Sequence, residues 1–213
     1  MKRLIWILQS EGLIPFLKDL VVTFIRLFKY NYNFYTIEVP RIDRDISRYL
    51  PKISDYKIYI LHTAQQLDLL KEAGYQIYYN AYKLLSVEGT VLFLIYIRQE
   101  LANVGCLSCN QRAMENMGQL NYKVNWDKGE LCTGVAWTKP KYRKLGLAEY
   151  SYYKRLEYAY SLGAIKTIGM IGISAYGMNR KMGAIKTGII RGNRLLPFIP
   201  VGYLYEYIPP SSL

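Results

Sequence analysis

Val135-Ala136-Trp137-Thr138-Lys139-Pro140-Lys141-Tyr142-Arg143-Lys144-Leu145-Gly146-Leu147-Ala148 reads as a strand that ends before a proline, a basic turn, and the start of a helix. The first amides of such a helix have no internal partner, and its dipole favours an anion there by roughly 0.3–1 kcal/mol. A glycine at position 146 removes the side chain that would hold a phosphate off the backbone, and Arg143 and Lys144 add full charges. The expectation is an anion site, most simply for a diphosphate. Between Lys139 and Arg194 twelve Lys and Arg face only Glu149 and Glu157, so most of the chain's excess of +12 lies in this segment.

Upstream, Lys57 to Leu61 reads as a short strand, Ala64 to Ala73 as a helix stopped by Gly74, and Tyr78 to Leu85 as a second helical stretch. Thr90 to Ile97 is a β-rich run, Arg98-Gln99-Glu100 turns the chain, and Leu101 to Cys109 returns as the other arm of a hairpin. Downstream, Leu145 to Leu162 is a helix stopped by Gly163, Ile165 to Ile173 a strand, and Ala175 to Met182 a short helix closed by Gly183. Ile185 to Ile190 and Leu195 to Tyr207 close the chain as extended segments. This order fits an α/β (α+β three-layer) sandwich. We divide the chain into residues 1–56, an N-terminal helix and connector, and 57–207, the folded domain; residues 31–56, with Pro40 and Pro51, read as the connector.

With 213 residues, 51% apolar, the chain can bury a real core, which excludes global disorder. Tyr outnumbers Phe by 22 to 6, an excess that suggests rings with polar tips at a surface or wet cleft. The lone C-x-x-C of Cys106 and Cys109, with Cys132 and His62 elsewhere, lacks the ligand set of a zinc site, and we assign no metal. The three thiols read as buried cysteines of a reducing, cytoplasmic compartment.

Met1-Lys2-Arg3 followed by five apolar residues begins like a signal peptide, but the run stops at Gln9, short of the roughly 7–15 a signal core needs. Leu13 to Phe28 is too charged to cross a bilayer and reads as an amphipathic helix, with Leu13, Phe16, Leu17, Leu20, Val21, Phe24, Leu27 and Phe28 at helical spacing. Such a helix packs on its own domain or on a second copy in a homodimer, or rests peripherally on the inner face of a membrane through residues 13–28.

Arg143-Lys144-Leu145-Gly146-Leu147-Ala148 resembles the Arg/Gln-x-x-Gly-x-Gly/Ala loop of the GNAT superfamily of acyl-CoA-dependent N-acyltransferases. The strand and proline before it, the hairpin with Val104-Gly105, and Lys181-Met182-Gly183-Ala184 at the end of the second helix look like the family's order over roughly residues 57–207. The resemblance implies a GNAT-like mixed, mostly antiparallel splayed sheet flanked by helices. It implies acetyl-CoA or another acyl-CoA as co-substrate and direct attack by the primary amine of a small molecule on the thioester. It places pantetheine along the strand ending at Trp137 and Thr138, and pyrophosphate on the amides from Arg143, Lys144, Leu145, Gly146, Leu147 and Ala148. It also puts Asn179 where the family often has its tyrosine acid, Gly172 where it often has asparagine, and Ala184 where it has phenylalanine.

Tyr176, on the same helix, is therefore the candidate acid for the leaving thiolate, beside a structural reading of that ring. Glu130, at the head of the cofactor strand, is the candidate base for the amine, and its alternative is a solvated strand-edge carboxylate. Thr133, Ser174 and Asn179 are candidates to orient substrate, and His62 reads as a capping or core residue. A second class of function remains open from charge and tyrosine content, an inactive basic module on nucleic acid or a membrane surface. No stacking motif or helix-turn-helix supports the nucleic-acid form.

Overall fold

The computed structural model describes residues 2–38, 45–118, 124–171, 181–196 and 199–207. The chain divides into two compact units, residues 37–169 and residues 1–36 with 170–213, a partition that differs from the sequence division at 56/57.

Residues 37–169 are built on a mixed sheet of five strands in the order β2-β3-β4-β5-β6. These are β2 (Lys57–Leu61), β3 (Thr90–Ile97), β4 (Glu100–Ser108), β5 (Glu130–Thr138) and β6 (Lys166–Ile171). Every neighbouring pair is antiparallel except β5 and β6, which run parallel from Glu130↔Lys166 to Thr133↔Gly169. The hairpin of β3 and β4 turns at Arg98-Gln99, with Arg98 at φ +57°.

All eight residues of β3 are buried, because both faces of the sheet are covered. On one face, Val91 and Phe93 pack with Leu107, Leu131, Ala159 and Ala164, and Ile95, Ile97 and Ala102 pack with Leu147 and Tyr150. The helix supplying Leu147, Tyr150 and Ala159 is α6 (Leu147–Ser161). It ends in a Schellman motif, in which Ala164 N–H donates to Ala159 O and Gly163 N–H to Tyr160 O, with Gly163 at φ +76°. Alternate residues of β3 point the other way, and the Tyr96 ring meets Tyr59 and Tyr75 edge-on. The helices α3 (Ala64–Glu72), α4 (Ala81–Leu85) and α5 (Gln111–Asn116) contribute Leu67, Leu70, Ala81, Leu84, Leu85, Ala113 and Met114 to the core. Helix α5 was not expected from sequence; its start is fixed by the Asn110 side chain, which accepts from Ala113 N–H.

The other unit begins with α1 (Lys2–Glu11) and α2 (Leu13–Phe28), which pack together. They are joined at Gly12, whose φ of +89° breaks the helical path. Pro15 sits in the first turn of α2, where its missing N–H costs nothing. A three-stranded antiparallel arrangement follows, with β7 (Ile185–Leu196) between β1 (Lys29–Glu38) and β8 (Ile199–Tyr207). The reading of residues 31–56 as a connector is thus corrected, since residues 29–38 form a strand in register with β7. Two extended segments with a break near residue 191 were expected, and β7 instead runs unbroken to Leu196. Among the described residues no helix is long and apolar enough to cross a membrane. Most of the expected helix 175–182 lies outside the described residues.

Candidate functional site

Strand β5 changes character in its middle. Leu131 to Gly134 are buried, Val135, Trp137 and Thr138 are half-buried, and Ala136 is exposed. The cause is a bulge. Cys106 pairs with Gly134 and Val104 with Trp137, so β5 spends one residue more than β4, and Val135 takes φ +44°. Pairing with β6 ends at Thr133, so past that point the described partners of β5 lie on the β4 side alone. An edge of unpaired amides and carbonyls of this kind accepts an extended ligand as an added strand.

Beyond the strand the turn is pinned. Lys139 and Lys141 form ion pairs with Glu100, and the Tyr142 hydroxyl donates to the same carboxylate. Burial alone would raise the Glu100 carboxyl, but hydrogen bonds from Lys139, Lys141 and Tyr142 outweigh it and bring it down to about 2. Of the four cations in the turn, Lys139 and Lys141 are therefore committed to Glu100; Lys141, Arg143 and Lys144 are exposed. Arg143 Nε donates to Thr138 O at 3.1 Å, tying the loop to the end of β5. Asn103 braces the same end, its Nδ2 donating to Trp137 O at 2.9 Å and to Thr138 Oγ1 at 2.8 Å.

The loop then enters α6 through two left-handed residues, Lys144 at φ +66° and Gly146 at φ +81°. Gly146 is the N-cap and, having no side chain, gives the first turn of α6 no capping bond. The side chains of Leu145 and Leu147 pack into the core with Ile95, Ala102 and Tyr150, so the loop presents its backbone. A Cβ at 146 would stand 3.4 Å from Pro51 Cα and 3.5 Å from Leu50 O, and Lys52 N–H donates to Leu145 O at 2.8 Å. The two Cβ distances are ordinary van der Waals contacts, so it is the φ of +81° that calls for glycine here.

Behind the bulge lies a group that sequence reasoning missed. Arg155, on α6, is 3% exposed. Its Nε donates to Ser151 O at 3.3 Å, its Nη1 approaches Gly134 O at 3.5 Å, and its guanidinium lies 4.8 Å from the Tyr152 ring centroid. Burial lowers the guanidinium to about 10. Gly105 makes this possible, because a Cβ there would fall 2.8 Å from Arg155 Nε and 2.9 Å from Ser151 Oγ. The pairing of a strand glycine with small residues four before and four after Arg155 on the helix, Ser151 and Ala159, was the available signal.

The remaining candidates separate. Glu130 stands at the closed end of β5, beside the first parallel pair with β6; its Oε1 pairs with Lys166 Nζ at 2.6 Å and its Oε2 accepts from Asn125 N–H at 2.9 Å. Both oxygens thus serve the fold. Thr133 is buried and hydrogen-bonded to Tyr152, which removes it from the substrate candidates. His62 is exposed before α3, its N–H donating to Gln66 Oε1 in front of the Thr63–Gln66 capping box. Tyr176, Ser174, Asn179 and Gly172 lie outside the described residues. Tyr78, Tyr96, Tyr150, Tyr152 and Tyr153 are buried, so much of the tyrosine excess is core rather than cleft surface. Cys106 and Cys132 are buried free thiols, and burial pushes the Cys106 thiol up.

Strand order, the bulged β5, and the glycine-led entry to α6 together define the fold of the GCN5-related N-acetyltransferases. Solved structures agree. A GCN5-related N-acetyltransferase-like protein from Streptococcus suis matches 84% of this chain and 67% of its own at 10% identity and a TM-score of 0.50. A GCN5-related glucosamine N-acetyltransferase region in a fungal multi-domain GH3 β-N-acetylglucosaminidase matches 82% of this chain at 8% identity and a TM-score of 0.52. This chain spans 22% of that protein's length, and 60% of the length of a GCN5-related N-acetyltransferase from Kribbella flavida, matched over 79% of this chain at 11% identity and a TM-score of 0.48. No protein-family model matches the sequence, and no curated protein matches it.

Proposed function

We propose that the chain is an acyl-CoA-dependent N-acyltransferase that moves an acetyl or related acyl group to the primary amine of a small molecule. The observation that carries this reading is the bulge at Val135, beyond which β5, among the described residues, is paired only on its β4 side and leads through the 139–146 turn to the uncapped start of α6. In this reading the β5 edge from Val135 to Thr138 pairs with the amide-bearing pantetheine arm. The first amides of α6 at Leu147 and Ala148, with Arg143 and Lys144, take the pyrophosphate. The thioester supplies an acyl carbon that an uncharged amine attacks: the C–N bond forms, the C–S bond breaks, and the amine gives up a proton. Tyr176 returns a proton to the leaving thiolate. Glu130 is given no part in proton transfer, because Lys166 and Asn125 already hold its carboxylate.

The test is calorimetric titration of the folded protein with acetyl-CoA. Wild type binds, and Arg143→Ala/Lys144→Ala weakens binding by about tenfold or more, ~1.4 kcal/mol, with only a small fall in melting temperature, since both side chains are exposed and Arg143 gives up its bond to Thr138 O. A folded wild type that gives no acetyl-CoA binding overturns the reading.

A further inference from the structure

Helix α2 turns an apolar face to solvent. At 100° per residue, Leu13, Ile14, Leu17, Leu20 and Val21 fall within a sector about 120° wide. All five are exposed, Leu13 at 61%, Ile14 at 69% and Val21 at 58%. Helix α1 adds exposed Ile5 and Leu8, while Ile7 is buried at 5% exposure. A surface helix ordinarily turns such a stripe to the core, and a contiguous exposed apolar patch marks an interaction face.

Charge identifies the occupant. The unit of residues 1–36 and 170–213 holds ten Lys and Arg against three Asp and Glu. A second copy docked on this face would bring that excess of seven positive charges against its own equal. An anionic lipid surface offers hydrocarbon for the stripe and opposite charge for the unit around it. We propose that α1 and α2 dock the protein on an anionic bilayer, with α2 lying in the interface plane and its 13–21 stripe at the acyl boundary. Lys18, exposed at the flank of the stripe, sits at headgroup level. This proposal rests on the 1–36/170–213 unit and not on acyl transfer, so the two readings fail separately.

The experiment is flotation of the full chain with phosphatidylcholine vesicles, with and without about one-third phosphatidylglycerol. Binding is expected on the anionic vesicles and at least about tenfold weaker on the neutral ones. Leu17→Glu/Val21→Glu abolishes flotation with an unchanged circular dichroism spectrum. Val21→Trp provides a second measurement, a fluorescence blue shift on adding anionic vesicles. A full chain that stays off anionic vesicles overturns the proposal. So does a double variant that floats like the parent, a Val21→Trp protein without a shift, or a parent dimer that the double variant dissociates in the absence of lipid.

Discussion

The two halves of β5 share one strand and differ in almost everything else. Leu131 to Gly134 are buried and the strand there is paired on both edges up to Thr133, whereas Val135 to Thr138 lie nearer the surface and, among the described residues, only Trp137 and Thr138 pair, both with β4. The change occurs over a single extra residue. A bulge leaves a carbonyl out of the ladder, and here the buried guanidinium of Arg155 approaches Gly134 O from the helix side, across the gap that Gly105 leaves. The comparison teaches that the exposed stretch of the strand is set from behind, by a buried residue of the helix.

The largest expected effect breaks that support. Gly105→Val puts side-chain atoms where Arg155 and Ser151 already stand, and in a site this enclosed it costs about 2–3 kcal/mol by urea denaturation. A double-mutant cycle locates the cost: with Arg155→Ala in place, Gly105→Ala becomes markedly cheaper than in the wild type. Additive costs would mean that the guanidinium is not what fills the space beside Gly105, and the account of the bulge would fail.

This support was hidden in the sequence for a physical reason. The hairpin, β5, α6 and the Gly163 stop were legible because their local periods and turn residues agree with their burial, as in the run Thr90 to Ile97. The loop's cations were legible as a group, but which were free was not, since Glu100 lies 39 residues before Lys139 in sequence. The positive φ at Gly146 was legible from the glycine itself, which ends the basic turn before α6. The Tyr-rich residues 29–38 did carry a signal, because Tyr30, Tyr32 and Phe34 alternate with Asn31 and Asn33. That period of two is a strand pattern, and reading the tyrosines as composition concealed it.

A smaller effect sharpens the comparison at the open end of β5. The Glu100 carboxyl, brought down to about 2 in the folded state from an ordinary 4.5, binds its proton less tightly when folded. Its contribution is therefore complete above the unfolded value and is lost as pH falls from about 4.5 through about 2. Discounted for partial exposure, it amounts to ~1–2 kcal/mol. Wild type exceeds Glu100→Gln by that margin in urea near neutral pH, and the two converge near pH 2. A margin independent of pH would show that packing, not charge, pins the turn.

The smallest stability effect bears most directly on chemistry. Glu130→Gln removes the ion pair with Lys166 but keeps an acceptor for Asn125 N–H, so it costs only about 0.5–1 kcal/mol. If the closed half of β5 is purely structural, turnover at saturating amine stays within about twofold of wild type, well short of the loss a missing proton acceptor produces. A fall of about 10²-fold or more, with melting nearly unchanged, would make Glu130 the base. The Lys166 pair would then hold that carboxylate in position, and the division of β5 at Val135 would separate two parts of one active site rather than scaffold from site.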